Sequence, residues 1–241
     1  MGLRTIYTLL KPPEVGRDKF ESYFLSKGYR VKKKLTYIKT TRKGGLYWRY
    51  KNLMKDRIIK NINQVWVSDI TYFLVEGKFY YITLLMDVYS RRIIGYNADK
   101  NMYAETTCKT LEMAFKSRKI KNYQGSLIHH SDKGSQYMSQ VYLNMLEMYG
   151  CKVSVADNAY ENSHMERVNG TIKNDYLRHW RIENEEALKK GLARAVRNYN
   201  EFKPHAALPE KLPPSKFEES LLHLPAQKLP TVKLYTEESK I

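Results

Sequence analysis

The chain predicts an α/β fold with a five-stranded mixed sheet flanked by helices, and three observations carry that expectation. Three strand-like runs follow one another between Val65 and Ala98 with no helical period between them, the order of an antiparallel meander. Helical and strand-like periods then alternate as far as about residue 200. Acidic residues interrupt the strand-like texture at Asp69 and close a later run at Asp132, where a buried, unpaired carboxylate would be costly unless it meets solvent, an edge or a metal.

Taken in order, residues 3–11 read as a short helix stopped by Pro12-Pro13, and Arg17–Lys27 as a second, with Phe20, Tyr23 and Phe24 at helical spacing and Gly28 just past its end. Residues 29–60 form a basic connector without a clear period. Val65–Phe73 is the first strand, Lys78–Tyr89 the second and Arg91–Ala98 the third, with a bend near Ser90. Ala104–Arg118 is helical and buries Leu111, Ala114 and Phe115. Ser126–Ser131 is a fourth strand, Ser139–Tyr149 a helix ended by Gly150, and Lys152–Val155 a fifth strand. Helices at about 162–180 and 184–202 follow. Residues 203–241, rich in Pro and Lys, read as an extended C-terminal tail. Three antiparallel strands followed by alternating helix and strand is the order of an RNase H-like fold. It divides the chain into a basic helical region over 1–60, a catalytic core over 61–202, and the tail.

Charge is unevenly placed. The net charge is +17, and residues 1–60 hold 17 Lys/Arg against 4 Asp/Glu. A phosphate backbone is the natural partner for such a field, and Tyr37, Tyr47, Trp48 and Tyr50 interleave it with rings on which bases could stack. The helix–turn–helix order near the N-terminus is compatible with a DNA-binding unit. Cys108 and Cys151 are the only cysteines and show no metal-binding spacing, which argues for a reducing, intracellular setting and against a zinc module. No apolar run reaches the ~18 residues of a membrane span, and no signal-peptide core is evident.

Singly, any one acid here would be a solvated surface group; the case for Asp69, Asp132 and Glu166 rests on their company. Two strand aspartates and a helix glutamate can converge on divalent cations that clamp the attacking and leaving oxygens of a phosphodiester. Asp69 shares a strand face with Val67 and Thr71. Asp132 stands where a strand's C-terminal end opens into Lys133-Gly134-Ser135, the usual ligand crevice of an open α/β sheet. At about 100° per residue, Asn162, Glu166, Asn169 and Lys173 form one helical stripe, beside an apolar stripe of Met165, Val168, Ile172 and Tyr176. The apolar stripe would pack on the sheet and bring Glu166 towards the metals and Lys173 towards a phosphate. Glu161 is a rival acid but lies roughly 140° from Glu166 around the helix. Asp87 reads as a turn cap, and Asp157-Asn158 as the turn and cap before the helix. His130 and His164 lie near enough to orient substrate.

These residues also resemble a family. Trp66-x-x-Asp69-x-Thr71-Tyr72, Asp87-x-x-Ser90-Arg91-x-x-x-Gly95 and His130-Ser131-Asp132-x-Gly134-Ser135-Gln136-Tyr137 are similar to the OrfB-type transposases of bacterial insertion sequences. So are Tyr160-Glu161-Asn162-Ser163-His164-Met165-Glu166-Arg167, Gly170-Thr171-Ile172-Lys173, and the C-terminal Tyr199-Asn200, Pro204-His205 and Leu208. The resemblance spans about 60–210 and implies a retroviral-integrase-like core with an Asp-Asp-Glu triad. Carried over, Asp69, Asp132 and Glu166 would hold two Mg²⁺ (or Mn²⁺) ions, and Lys173 would contact the element's terminal DNA, with Arg167, Asn169 and His130 as further expected DNA contacts. It implies strand cleavage and strand transfer, a homo-oligomer on DNA, and a bacterial cytoplasmic, nucleoid-associated setting. An upstream helix-turn-helix subunit or fusion is also expected, because the chain opens within what resembles the family's second such motif. The interval between Asp132 and Glu166 is shorter than usual for the family, and Lys203 replaces the usual Arg before Pro-His. A hydrolytic RNase H-like nuclease and a non-catalytic DNA-binding remnant are the competing readings.

Overall fold

The computed structural model describes residues 2–30, 50–156 and 162–234. Tyr37, Tyr47, Trp48, Asp157-Asn158 and Glu161 lie outside the described residues. Strands β2 (Val65–Val75), β3 (Lys78–Asp87) and β4 (Ile93–Asp99) form the expected antiparallel meander, and β5 (Ile128–Ser131) and β6 (Lys152–Val155) run parallel to β2 on its other side. The strand order is β4-β3-β2-β5-β6. The β2–β3 turn falls at Glu76-Gly77, where both residues have positive φ (45° and 74°), the two-residue hairpin geometry whose twist matches that of the strands.

Alternation along β2 divides the core. Val65 and Val67 face a layer built from α5 (Ser163–Thr171) and α6 (Glu185–Glu201), with Met165, Val168, Leu188, Leu192 and Val196 buried against the sheet. Trp66 faces the opposite layer, α3 (Ala104–Arg118) and α4 (Gln140–Met148), where Leu111, Phe115, Tyr142 and Leu146 are buried. The N-terminal helices α1 (Leu3–Leu10) and α2 (Arg17–Ser26) pack on each other through Tyr7 and Phe20, whose rings are 5.4 Å apart.

Two expectations are corrected. The helix expected over about 162–180 is not continuous: α5 ends at Thr171, a π-helical turn spans Ile172–Tyr176 and a 3₁₀ turn Leu177–His179. The described part of the expected tail is folded: α7 (Pro214–Leu221) buries Phe217 against Tyr89, and β7 (Val232–Lys233) pairs with β1 (Ile58–Ile59) inside the expected connector. The sequence cue was Pro and Lys content, but Pro209 and Pro214 sit at the first positions of helical turns, where a missing N–H costs nothing.

Asp87 is the turn cap the sequence suggested. Its carboxylate accepts from the N–H groups of Tyr89 (3.0 Å) and Asn63 (2.7 Å). It also joins a buried ion cluster, in which Arg118 reaches Asp87 at 3.4 Å and Glu218 of α7 at 2.6 Å.

Candidate active site

The parallel pairing of β2 with β5 matches Val67 with His130, an offset of 63 positions. The same offset separates Asp69 from Asp132, so continuing the register by two residues sets the acids side by side on neighbouring strands, just past the last paired residues. Such strands lie about 4.8 Å apart. The electrostatics agree: burial, and after it the charge of Asp132, push the Asp69 carboxyl up to about 7. Asp132 is also raised, by burial, and the Gly134 N–H, donating to its Oδ1 at 3.0 Å, works against that rise. A Cβ at Gly134 would stand 2.9 Å from the same oxygen, so this turn accepts only glycine without moving the carboxylate.

Helix α5 brings its polar stripe to Asp69. The Asn169 Nδ2 donates to Asp69 Oδ2 at 2.8 Å, while Asn169 Oδ1 is buried with no hydrogen-bond partner among the described residues. Asn162, on the same stripe, donates to the Ser68 carbonyl at 3.3 Å. Lys173 is buried, its Nζ 2.6 Å from Thr71 Oγ1 and 5.3 Å from the centre of the Tyr72 ring. Burial, then Arg178, lower its pKa to about 8, opposed by Asp69.

Glu166 and Arg167 are exposed on α5. Among the described residues, no set of three or more His, Cys, Asp or Glu side chains stands close enough to hold a metal ion. The structure therefore brings Asp69 and Asp132 together, with Glu166 one helical turn before the Asn169 that touches Asp69. His130, expected at the DNA, is buried in the middle of the sheet with Nδ1 2.8 Å from Ser154 Oγ of neighbouring β6, because β5 is paired on both edges and covered on both faces. Asn169 likewise serves Asp69 from a buried position. Thr71 escaped notice as a partner for Lys173, though its place on the strand face of Asp69 was a usable signal.

Two family profiles, each described as Integrase core domain, match residues 60–160 and 150–214. The chain is 35% identical over 175 residues to the insertion element IS600 uncharacterized 31 kDa protein of Shigella sonnei, covering 71% of this chain and 63% of that protein. Residues 60–214 form an integrase core domain, and the chain is similar to insertion-sequence transposases. The transposase for IS629 of Shigella sonnei is 33% identical over 113 residues, covering 46% of this chain and 37% of its own length. The putative transposase InsK for IS150 of Escherichia coli K12 is 28% identical over 150 residues, 61% and 52% of the two chains. The chain thus spans between 37% and 63% of these relatives' lengths. The fold agrees with the HTLV-2 integrase catalytic core in complex with magnesium (TM-score 0.52, 18% identity, 70% of this chain and 99% of that one). It agrees too with the catalytic core of BIV integrase (TM-score 0.51, 15% identity, 67% and 97%). The integrase core is therefore the five-stranded sheet and its helices, as the order of elements predicted.

Proposed function

We propose that this chain is the catalytic part of a transposase that cleaves DNA strands at the ends of an insertion sequence and joins the freed 3′-OH to target DNA. Asp69, Asp132 and Glu166 would hold a pair of Mg²⁺ or Mn²⁺ ions. The observation that carries this reading is the apposition of Asp69 and Asp132 at the C-terminal end of β5 in an integrase-type sheet, close enough for the Asp132 charge to add to burial in raising the Asp69 pKa to about 7. Two adjacent carboxylates suit a hard divalent cation, and the partnerless Asn169 Oδ1 beside them suits a water of its hydration shell. When bound, the cations supply Lewis acidity to the phosphodiester and to the attacking water or hydroxyl.

The protein's own work is positioning and charge. The Asn169 amide fixes one oxygen of Asp69 and the Gly134 N–H one oxygen of Asp132, so both acids are oriented before substrate arrives. Glu166 completes the set from the exposed side of α5. Arg167 and Lys173 neutralise DNA phosphate, Lys173 exchanging its bond to Thr71 for one to the backbone. The chain works as a homo-oligomer on DNA in the bacterial cytoplasm, at the nucleoid, with an upstream helix-turn-helix part on the same or a second chain. The basic residues of 1–60 support that placement on DNA.

The test is an oligonucleotide carrying an element end, with Mg²⁺ and a second duplex as target. Asp69→Asn, Asp132→Asn and Glu166→Gln are each expected to abolish cleavage and joining while DNA binding persists. Undiminished joining by the Glu166→Gln protein overturns the triad. Cleavage by the unaltered chain without any joining makes it a hydrolytic nuclease instead.

A further inference from the structure

Two motifs of the sequence take no part in the acidic site: Ser90-Arg91 and Pro204-His205. They converge on one cavity of about 390 Å³, lined also by His164, Arg167 and Lys203. At 100° per residue, His164, Arg167, Val168 and Thr171 occupy the side of α5 turned away from Glu166, Asn169 and Lys173, so this cavity and the acidic pair lie on opposite faces of one helix. No Asp or Glu is among the described residues lining it.

The chemistry is that of an anion site. Arg91 is buried at φ 62°, a backbone conformation uncommon for a residue with a side chain, and its Nη1 donates to His164 Nδ1 at 2.7 Å. That bond requires the proton of the neutral His164 to sit on Nε2, leaving a donor there. His205 Nδ1 accepts from the Ala207 N–H at 3.4 Å, which favours the same tautomer. Lys203, which also lines the cavity, pairs with Asp175 at 2.8 Å. Burial and then Arg91, Arg167 and Lys203 lower the His205 pKa to about 4, so three cations stand near its ring. Two arginines, a lysine and two neutral imidazoles lining one cavity match the oxygens of a phosphate group.

We propose that this cavity is a phosphate-binding site that takes one phosphate of the DNA backbone, anchoring the duplex on the face of α5 away from the acids. The choice of DNA as the source rests on the transposase reading; the phosphate chemistry does not.

Titration calorimetry of the full chain with inorganic phosphate is expected to show uptake at one site. Arg167→Gln (an exposed position that tolerates the change) and Lys203→Gln should each weaken it about tenfold or more, with Arg167→Lys retaining most of it. Binding to a duplex of arbitrary sequence should lose about 0.9 from the slope of log K against log salt for the phosphate released. Absence of phosphate uptake, or uptake unmoved by both glutamine variants, overturns the site. Uptake that is lost while the DNA slope stays unchanged overturns DNA as the source and leaves free phosphate as the ligand. The Asp69→Asn protein should take up phosphate as the unaltered chain does, so a failure of strand transfer and a failure of this site register separately.

Discussion

Asp69 is held at a carboxyl pKa of about 7 by burial and by Asp132, well above its ordinary 3.8. A raised carboxyl means that the folded chain keeps a proton the unfolded chain has released. Stability contributed by this residue is therefore complete below about pH 4 and falls as pH rises through about 7. Asp87, raised to about 6, acts in the same direction over a narrower window. In the absence of divalent ions, Asp69→Asn should thus raise the melting temperature at pH 8 and leave it nearly unchanged at pH 4. The same substitution should remove the stabilisation that Mg²⁺ gives at pH 8, and thermal melts at both pH values with and without Mg²⁺ check both statements. Asn169 acts on Asp69 without meeting substrate, so Asn169→Ala should reduce cleavage about 10–100-fold, with a Mg²⁺ requirement shifted to higher concentration. A purely structural role would lower stability and leave the Mg²⁺ dependence where it was.

At the level of strands and helices, register does what no single residue can. Strands β2 and β5 are offset by 63 positions, and a slip by one residue would turn Asp69 or Asp132 to the other face. At the other edge of the sheet, α3 packs closely on β4. A Cβ at Gly95 would collide with the Thr110 carbonyl, so Gly95→Ala should destabilise the chain by about 1–3 kcal/mol, read from denaturant midpoints. The π-turn over Ile172–Tyr176 follows directly after α5 and carries Lys173. A wider turn there resets the facing of everything beyond it, a device often found beside functional groups. The sequence placed Lys173 two turns beyond Glu166. It held no signal for the π-turn, because a one-residue change in helical register leaves the apolar spacing of Val168, Ile172 and Tyr176 intact.

Across the molecule, the C-terminal segment closes the core. Arg118 of α3 bridges Asp87 of β3 and Glu218 of α7, and all three side chains are nearly inaccessible. Removing the cation takes the counter-charge away from buried Asp87, while Glu218 keeps Arg92 at 2.6 Å, so Arg118→Ala should cost about 3–5 kcal/mol. Truncation after residue 211 should be worse, exposing Tyr89 where Phe217 packs and stripping β1 of its partner β7. The expected result is loss of the cooperative melting transition, and a truncated chain that melts as the full chain does would show that α7 is dispensable to the core.

Alternating periods, the meander order and the positions of two acids along their strands were all legible in the chain, because a pleated strand and an α-helix each stamp a fixed repeat on the residues that line a core. Asp87's capping role was legible for the same reason, being a contact between near neighbours. The burial of His130, the Asn169–Asp69 bond, the folding back of residues 203–234 and the meeting of Arg91 with His164 were not. Each joins positions far apart along the chain, and such contacts are set by how sheet and helices pack, which no local repeat encodes.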